Sequence, residues 1–130
     1  MSKILVDTSV WIDFFSGKIF VEAINELLSR GLVATCGVVK SEFLPFLKRE
    51  RDSTVRFFSR FDQLSFPETL WDEVVVLQRS ILSSGENRLA LPDLMITALC
   101  LHHDCPLFTK DKDFLRIKDV VGLELYDWKS

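Results

Sequence analysis

The stretch Ser2-Lys3-Ile4-Leu5-Val6-Asp7-Thr8-Ser9-Val10-Trp11-Ile12-Asp13-Phe14-Phe15 decides how this chain is read. Ile4-Leu5-Val6 is a short, wholly apolar run, the pattern of a strand buried on both faces. Asp7 ends it, and the run over 8–15 reads as a helix. A strand that ends in a carboxylate and passes straight into a helix presents that carboxylate at its carboxyl end. In a parallel sheet, sites form at those ends.

The same grammar recurs along the chain. Helices are predicted over 8–15 and 18–30, separated at Ser16-Gly17, with Ile19, Val21, Ile24, Leu27 and Leu28 as an apolar stripe and Gly31 as the stop. Residues 32–36 form a second strand. The helix after Gly37 sets Val39, Phe43, Phe46 and Leu47 on one face, and Pro45 kinks or splits it because its ring meets the carbonyl of Ser41. A short helix over 53–62 precedes a strand at 63–66. Pro67 and Glu68 open a long helix to about Ser84, with Leu70, Val74, Leu77 and Ile81 at helical spacing. After the loop at 83–87 come a helix at 93–103, a strand at 107–109, a helical turn near 112–117 and a last strand at 123–126. Strands alternating with helices predict one α/β domain over 1–130, a short parallel sheet covered on both faces.

The chain has 130 residues, enough for a real core in one domain, and at 48% hydrophobic it is globular. Its apolar runs fall short of the roughly 20 residues of a membrane helix. The run before Asp7 is too short for a signal-peptide core, so the expectation is a cytoplasmic protein without a membrane. A net charge of −3 excludes a strongly basic nucleic-acid coat. Basic residues nevertheless cluster: Lys48, Arg49, Arg51, Arg56 and Arg60 in one segment, Lys110, Lys112, Arg116 and Lys118 in another. Such rims suit an anionic substrate held by cations; for the 48–60 cluster a solvated helix face explains the charges equally well.

Cys36, Cys100 and Cys105 are an odd count with no disulfide framework. Cys36 and Cys100 read as small core residues. Cys100-Leu101-His102-His103-Asp104-Cys105 lacks the second separated Cys/His pair of a closed zinc site and reads as a helix end.

Acids stand where a metal-dependent enzyme needs them: Asp7, Glu42, Asp93 and the pair Asp111/Asp113. Singly, each has a plainer reading. Asp7 serves as a helix cap, Asp93 complements a helix dipole behind Pro92, and Asp113 pairs with Lys110 or Lys112. Glu42 could face solvent, but Val39 and Phe46 share its side of the helix and place it at the border of the buried stripe. Jointly, carboxylates brought together repel one another unless a cation neutralises them, and hard oxygen donors point to Mg2+ or Mn2+. Thr8, Ser9 and Thr109 are short hydroxyls beside these acids, suited to orienting them or to capping element ends.

These residues resemble the PIN-domain family. The resemblance runs through residues 1–15, then Val38-Val39-Lys40-Ser41-Glu42-Phe43-Leu44, Leu91-Pro92-Asp93-Leu94-Met95-Ile96-Thr97-Ala98 and Leu107-Phe108-Thr109-Lys110-Asp111-Lys112-Asp113-Phe114. It covers almost the whole chain in the family's order, and the short single domain looks most like the VapC group, the toxin ribonucleases of toxin–antitoxin pairs. Lys40-Ser41 departs from the apolar or Ala residues usual before the Glu. The resemblance implies a PIN-like three-layer α/β/α sandwich and a metal-dependent endoribonuclease. Its catalytic acids would be Asp7, Glu42, Asp93 and Asp111, with Asp113 close behind; which of the last two is nearer the metal stays open. It also implies an RNA substrate, an antitoxin partner that wraps the domain, and a homodimer. Trp11, Phe14, Phe15 and Phe20 exceed what one short helix pair buries, which favours a partner or dimer contact for some of them.

The chemistry of the residues agrees. Divalent ions held by carboxylates polarise a phosphoryl oxygen and lower the pKa of water, so no Ser, Cys or His nucleophile is needed and His102 and His103 stand outside the reaction. The expected products carry a 5′-phosphate and a 3′-hydroxyl. A haloacid-dehalogenase-type phosphatase needs an Asp where Ser9 stands, and a receiver domain needs adjacent early acids that are absent. A housekeeping PIN nuclease and a catalytically inactive PIN-fold binding module are the remaining alternatives.

Overall fold

Parallel pairing of β1 (Ile4–Val6) with β2 (Val33–Cys36) on one side and β4 (Leu107–Phe108) on the other sets the architecture. In the computed structural model, which describes residues 2–47 and 51–129 and of Arg51 only the backbone, β3 (Asp62–Leu64) adds to the outer edge of β2. The order β3-β2-β1-β4 is parallel throughout. Leu5 lies opposite Ala34 and Leu107, and all three are buried. Such strands can be apolar at every position because helices cover both faces. β3 is an edge strand with Asp62 and Gln63 exposed.

The helices are α1 (Thr8–Phe15), α2 (Val21–Ser29), α3 (Gly37–Phe43), α4 (Arg51–Ser59), α5 (Leu70–Ser83), α6 (Leu91–His103) and α7 (Lys112–Val121). α1 packs on α3, and α5 packs on α6 and α7. This is the expected three-layer α/β sandwich. The chain leaves β1 toward β2 on one side and returns to β4 on the other. Strand order therefore reverses beside β1, and the crevice beyond the carboxyl ends of β1 and β4 is a topological switch point.

Local chemistry explains several boundaries. Gly31, at φ +65°, ends α2 in a Schellman turn: Leu32 N–H donates to the Leu27 carbonyl at 3.0 Å and Gly31 N–H to Leu28 at 3.1 Å. Pro45, expected to kink or split the helix, leaves α3 ending at Phe43, and Leu44–Phe46 tightens into a 3-10 turn. That change of winding breaks the anticipated stripe: Phe46 is 72% exposed. α7 outruns the short turn expected near 112–117 because Phe114 and Ile117 keep one buried face and Gly122, at φ +72°, supplies the stop. The strand expected at 123–126 is reduced to one bridge, Leu107 with Leu125, since β4 offers just two residues to pair with.

The aromatic residues of the amino-terminal helices are also placed differently from the partner-contact expectation. Trp11 is fully buried, packed against Phe14, Phe15, Phe57, Phe58 and Phe61. Phe20 is fully buried against Phe108 and Trp128. α4 and the carboxyl-terminal segment absorb rings that a helix pair alone would have left outside; Phe15 remains 45% exposed. Of the 48–60 basic cluster, Lys48 and Arg49 and the side chain of Arg51 lie outside the described residues, while Arg56 and Arg60 are exposed.

Candidate active site

Asp7 occupies the N-cap position of α1, yet its side chain makes no capping hydrogen bond. Its carboxylate instead accepts at Oδ2 from the hydroxyl of Ser9 at 2.9 Å and from that of Thr109 at 2.8 Å. The plain capping role is therefore not what holds it. Thr109 Oγ1 also accepts from the Asp111 N–H at 3.0 Å, so one hydroxyl joins the end of β1 to the turn after β4. Asp7 is buried, and that burial pushes its carboxyl above the usual range; the Thr109 and Ser9 hydrogen bonds oppose the rise.

Glu42 is half-buried on α3, where Thr8 reaches its Oε1 at 3.4 Å, a long and weak hydrogen bond. Burial and then the charge of Asp7 raise its carboxyl. Asp93 sits in the first turn of α6, behind Pro92. A helix N-terminus favours a carboxylate, but here the carboxyl is pushed up to about 7. Burial is the largest cause, followed by Asp111, Asp7, Glu42 and Asp113. Each of the other candidate acids is thus close enough to Asp93 to disfavour its charge.

Asp93, Asp111 and Asp113 each offer a carboxylate oxygen within 4.8 Å of the others. Asp7 and Glu42 fall outside this tightest group but are coupled to it electrostatically. The donors are all hard oxygens, and their mutual repulsion is what a divalent cation relieves, so the residues fit Mg2+ or Mn2+. Asp111 also caps α7, its Oδ1 accepting from the Asp113 N–H at 2.9 Å. Asp113 is exposed and pairs with Arg116 at 3.1 Å, rather than with Lys110 or Lys112. Cys100 and Cys105 are buried free thiols that burial pushes up, and His103 Nε2 contacts the Ser65 carbonyl at 2.8 Å.

Side chains in the basic rim have structural partners that sequence reasoning missed. Lys110 is paired with Asp13, a carboxylate 6% exposed in α1. Arg116 bonds Asp113, the Glu86 carboxylate and the carbonyls of Asn87 and Arg88. The signal for Asp13 was a lone acid inside the apolar run Trp11-Ile12-Asp13-Phe14-Phe15.

A profile of the PIN domain matches residues 4–120, from β1 to the last turn of α7, and so spans all five acids. The chain belongs to the PIN-domain family. Ribonuclease VapC21 of Mycobacterium tuberculosis is 33% identical over 98 residues, 72% of this chain and 71% of the relative. Ribonuclease VapC11 of the same organism is 25% identical over 128 residues, 93% of this PIN domain and 96% of the relative. Among solved structures, a chain of a toxin–antitoxin complex from Klebsiella pneumoniae superposes with a TM-score of 0.71 at 27% identity, covering 86% of this chain and 90% of that one. A chain of the DNA-bound VapBC complex from Salmonella typhimurium reaches 0.77 at 16% identity over 98% and 99% of the two chains, a likeness of fold alone. Among the described residues of this PIN domain, no helix is long and apolar enough to cross a membrane.

Proposed function

We propose that this chain is a divalent-metal-dependent endoribonuclease, the toxin of a VapBC-type toxin–antitoxin pair. The observation that carries the reading is the convergence of Asp7, Glu42, Asp93, Asp111 and Asp113 at the switch point, with three of these carboxylates within 4.8 Å of one another. The names of its PIN-domain relatives, ribonucleases and toxin–antitoxin complexes, support the substrate class and the partner.

Mg2+ or Mn2+, bound there, supplies charge neutralisation for the scissile phosphate and a lowered pKa for the attacking water. The chain's own residues prepare the site. Asp7, Glu42, Asp93 and Asp111 are the catalytic acids. Asp111 raises both Asp7 and Asp93, while Asp113 acts most weakly on Asp93 and is shared with Arg116, so Asp113 is the outer arm. Ser9 and Thr109 hold one oxygen of Asp7 in place, and Thr8 steadies Glu42. Asp93, whose carboxyl is raised, would have to be deprotonated to serve as a ligand. Exposed Lys112 is available to a phosphate of the RNA. Three free cysteines suit a reducing, cytoplasmic setting.

A homodimer and a bound antitoxin complete the proposal. Exposed Val75, Leu82 and Leu91 border an apolar cavity of about 970 Å³ between α5 and the start of α6, a surface suited to burial against another chain. The test is incubation of purified protein with synthetic RNA in Mg2+, Mn2+ or EDTA, and co-expression with the neighbouring open reading frame. Cleavage to 5′-phosphate ends that stops in EDTA, and growth arrest relieved by the neighbour, are expected. EDTA-resistant cleavage would remove the metal mechanism. Harmless expression and no binding by the neighbour's product would favour a housekeeping PIN nuclease.

A further inference from the structure

α1 carries a carboxylate that the acidic site does not use. Asp13 is 6% exposed, in a run whose neighbours are apolar. A buried carboxylate is costly without a partner. Its partner is the ammonium of Lys110, at 2.5 Å and 97 positions away in sequence. Lys110 lies between two residues that matter: Thr109, which donates to Asp7, and Asp111. The backbone N–H of Lys110 also approaches Ser9 Oγ at 3.4 Å, and Ser9 donates to Asp7. The turn at 109–111 is therefore tied to the β1–α1 unit near Asp7 by hydroxyls, and further along α1 by an ion pair whose carboxylate is buried and whose ammonium is partly exposed.

Two ties at separated points fix the orientation of a turn, where one leaves it free to swivel. We infer that Asp13 and Lys110 form a tether that sets the position of Asp111 relative to Asp7, and with it the affinity of the site for a divalent cation. They are positioning residues. The inference rests on the metal-dependent reading above and deepens it.

Charge alone makes a different forecast, which makes the tether testable. By Coulomb's law, removing the Lys110 cation tightens binding of a second cation nearby, while removing the Asp13 anion weakens it. A tether makes both removals weaken binding. It also makes the double variant about as weak as either single one, because the two residues act as a unit.

The experiment measures the Mn2+ dissociation constant of the whole chain by calorimetry for the parent and for Asp7→Asn, Lys110→Met, Asp13→Asn and the Lys110→Met/Asp13→Asn double variant. Each protein is first checked by circular dichroism and melted in EDTA. Supporting partners of metal ligands typically change affinity by about 10- to 100-fold. A loss of about that size in both single variants, not enlarged in the double, supports the tether; Lys110→Arg, which keeps the cation, is expected to restore most of the affinity. Should Lys110→Met not fold, Lys110→Gln takes its place: it also removes the cation, so weaker Mn2+ binding by it supports the tether and parental or tighter binding overturns it. Unchanged or tighter Mn2+ binding by Lys110→Met overturns the tether, as does a lowered melting temperature with parental Mn2+ affinity. If the parent binds no Mn2+, or Asp7→Asn binds it as the parent does, the metal reading itself fails and takes the tether with it.

Discussion

Thr109 donates its hydroxyl hydrogen to Asp7 Oδ2 at 2.8 Å, across 102 positions of sequence. The bond links the two strand ends that flank the switch-point crevice, since Asp7 follows β1 and Thr109 follows β4. It also lowers the Asp7 carboxyl against the rise that burial causes.

Thr109→Val keeps the shape and removes that donor. The Asp7 carboxyl then rises further, and a proton competes better with the cation. Mn2+ affinity is expected to fall about 10-fold, as for other groups that orient a metal ligand, with the fold retained. Thr109→Ser restores the hydroxyl and is expected to recover most of the loss. Calorimetry on the two variants checks it; equal affinities would remove the role.

Asp7→Asn preserves size and removes the charge. RNA cleavage is expected to fall by about 100-fold or more, with an unchanged circular dichroism spectrum. The readout is the cleavage rate of a labelled RNA in Mg2+ and in Mn2+. A variant as fast as the parent would exclude Asp7 from the site.

Asp93 gives the metal-free protein a pH signature. Its carboxyl is raised from the usual 3.8 to about 7, so between these values the folded state holds a proton that the unfolded state has released. Stability then falls as pH rises through that window and levels off above it. In EDTA, the melting temperature of the parent relative to Asp93→Asn is expected to decline from about pH 4 to about pH 7. Saturating Mn2+ reverses the trend, because the cation binds the deprotonated folded form. A parent-minus-variant difference that is flat with pH would contradict the shift.

Arg116 fastens the segment before α6 to α7 through Glu86 and the carbonyls of Asn87 and Arg88. Arg116→Met removes those bonds and frees Asp113. Amide hydrogen exchange in residues 85–90 is expected to quicken while β1 and β2 stay protected. Unchanged exchange there would show that packing, not Arg116, orders the segment.

Much of this architecture was legible locally. Ile4-Leu5-Val6 and the 32–36 run are apolar at every position, and such runs have few stable places other than the middle of a parallel sheet. Asp7, Asp93 and Asp111 were conspicuous because each stands where an apolar element starts or ends. The order of acids along the chain, with Glu42 among them, carried the family resemblance.

Other features were settled by local changes of winding or by contacts between residues far apart in sequence. Phe46 turned outward because Pro45 changed the winding of its turn. Trp11 found packing partners in α4 and just beyond it, at Phe57, Phe58 and Phe61, so it needed no second chain to cover it. The segment 123–126 lost its strand because β4 is two residues long. Lys110 and Arg116 read as a free basic rim until Asp13 and Glu86 came into place beside them. Periodicity and strand-end position act over a few residues, and a sequence displays them directly. Ion pairs and ring packing depend on which surfaces the sheet order brings together. The sequence by itself therefore determined most of the strands and helices and named the candidate acids, while the tertiary structure decided which of the basic side chains are already held by carboxylates.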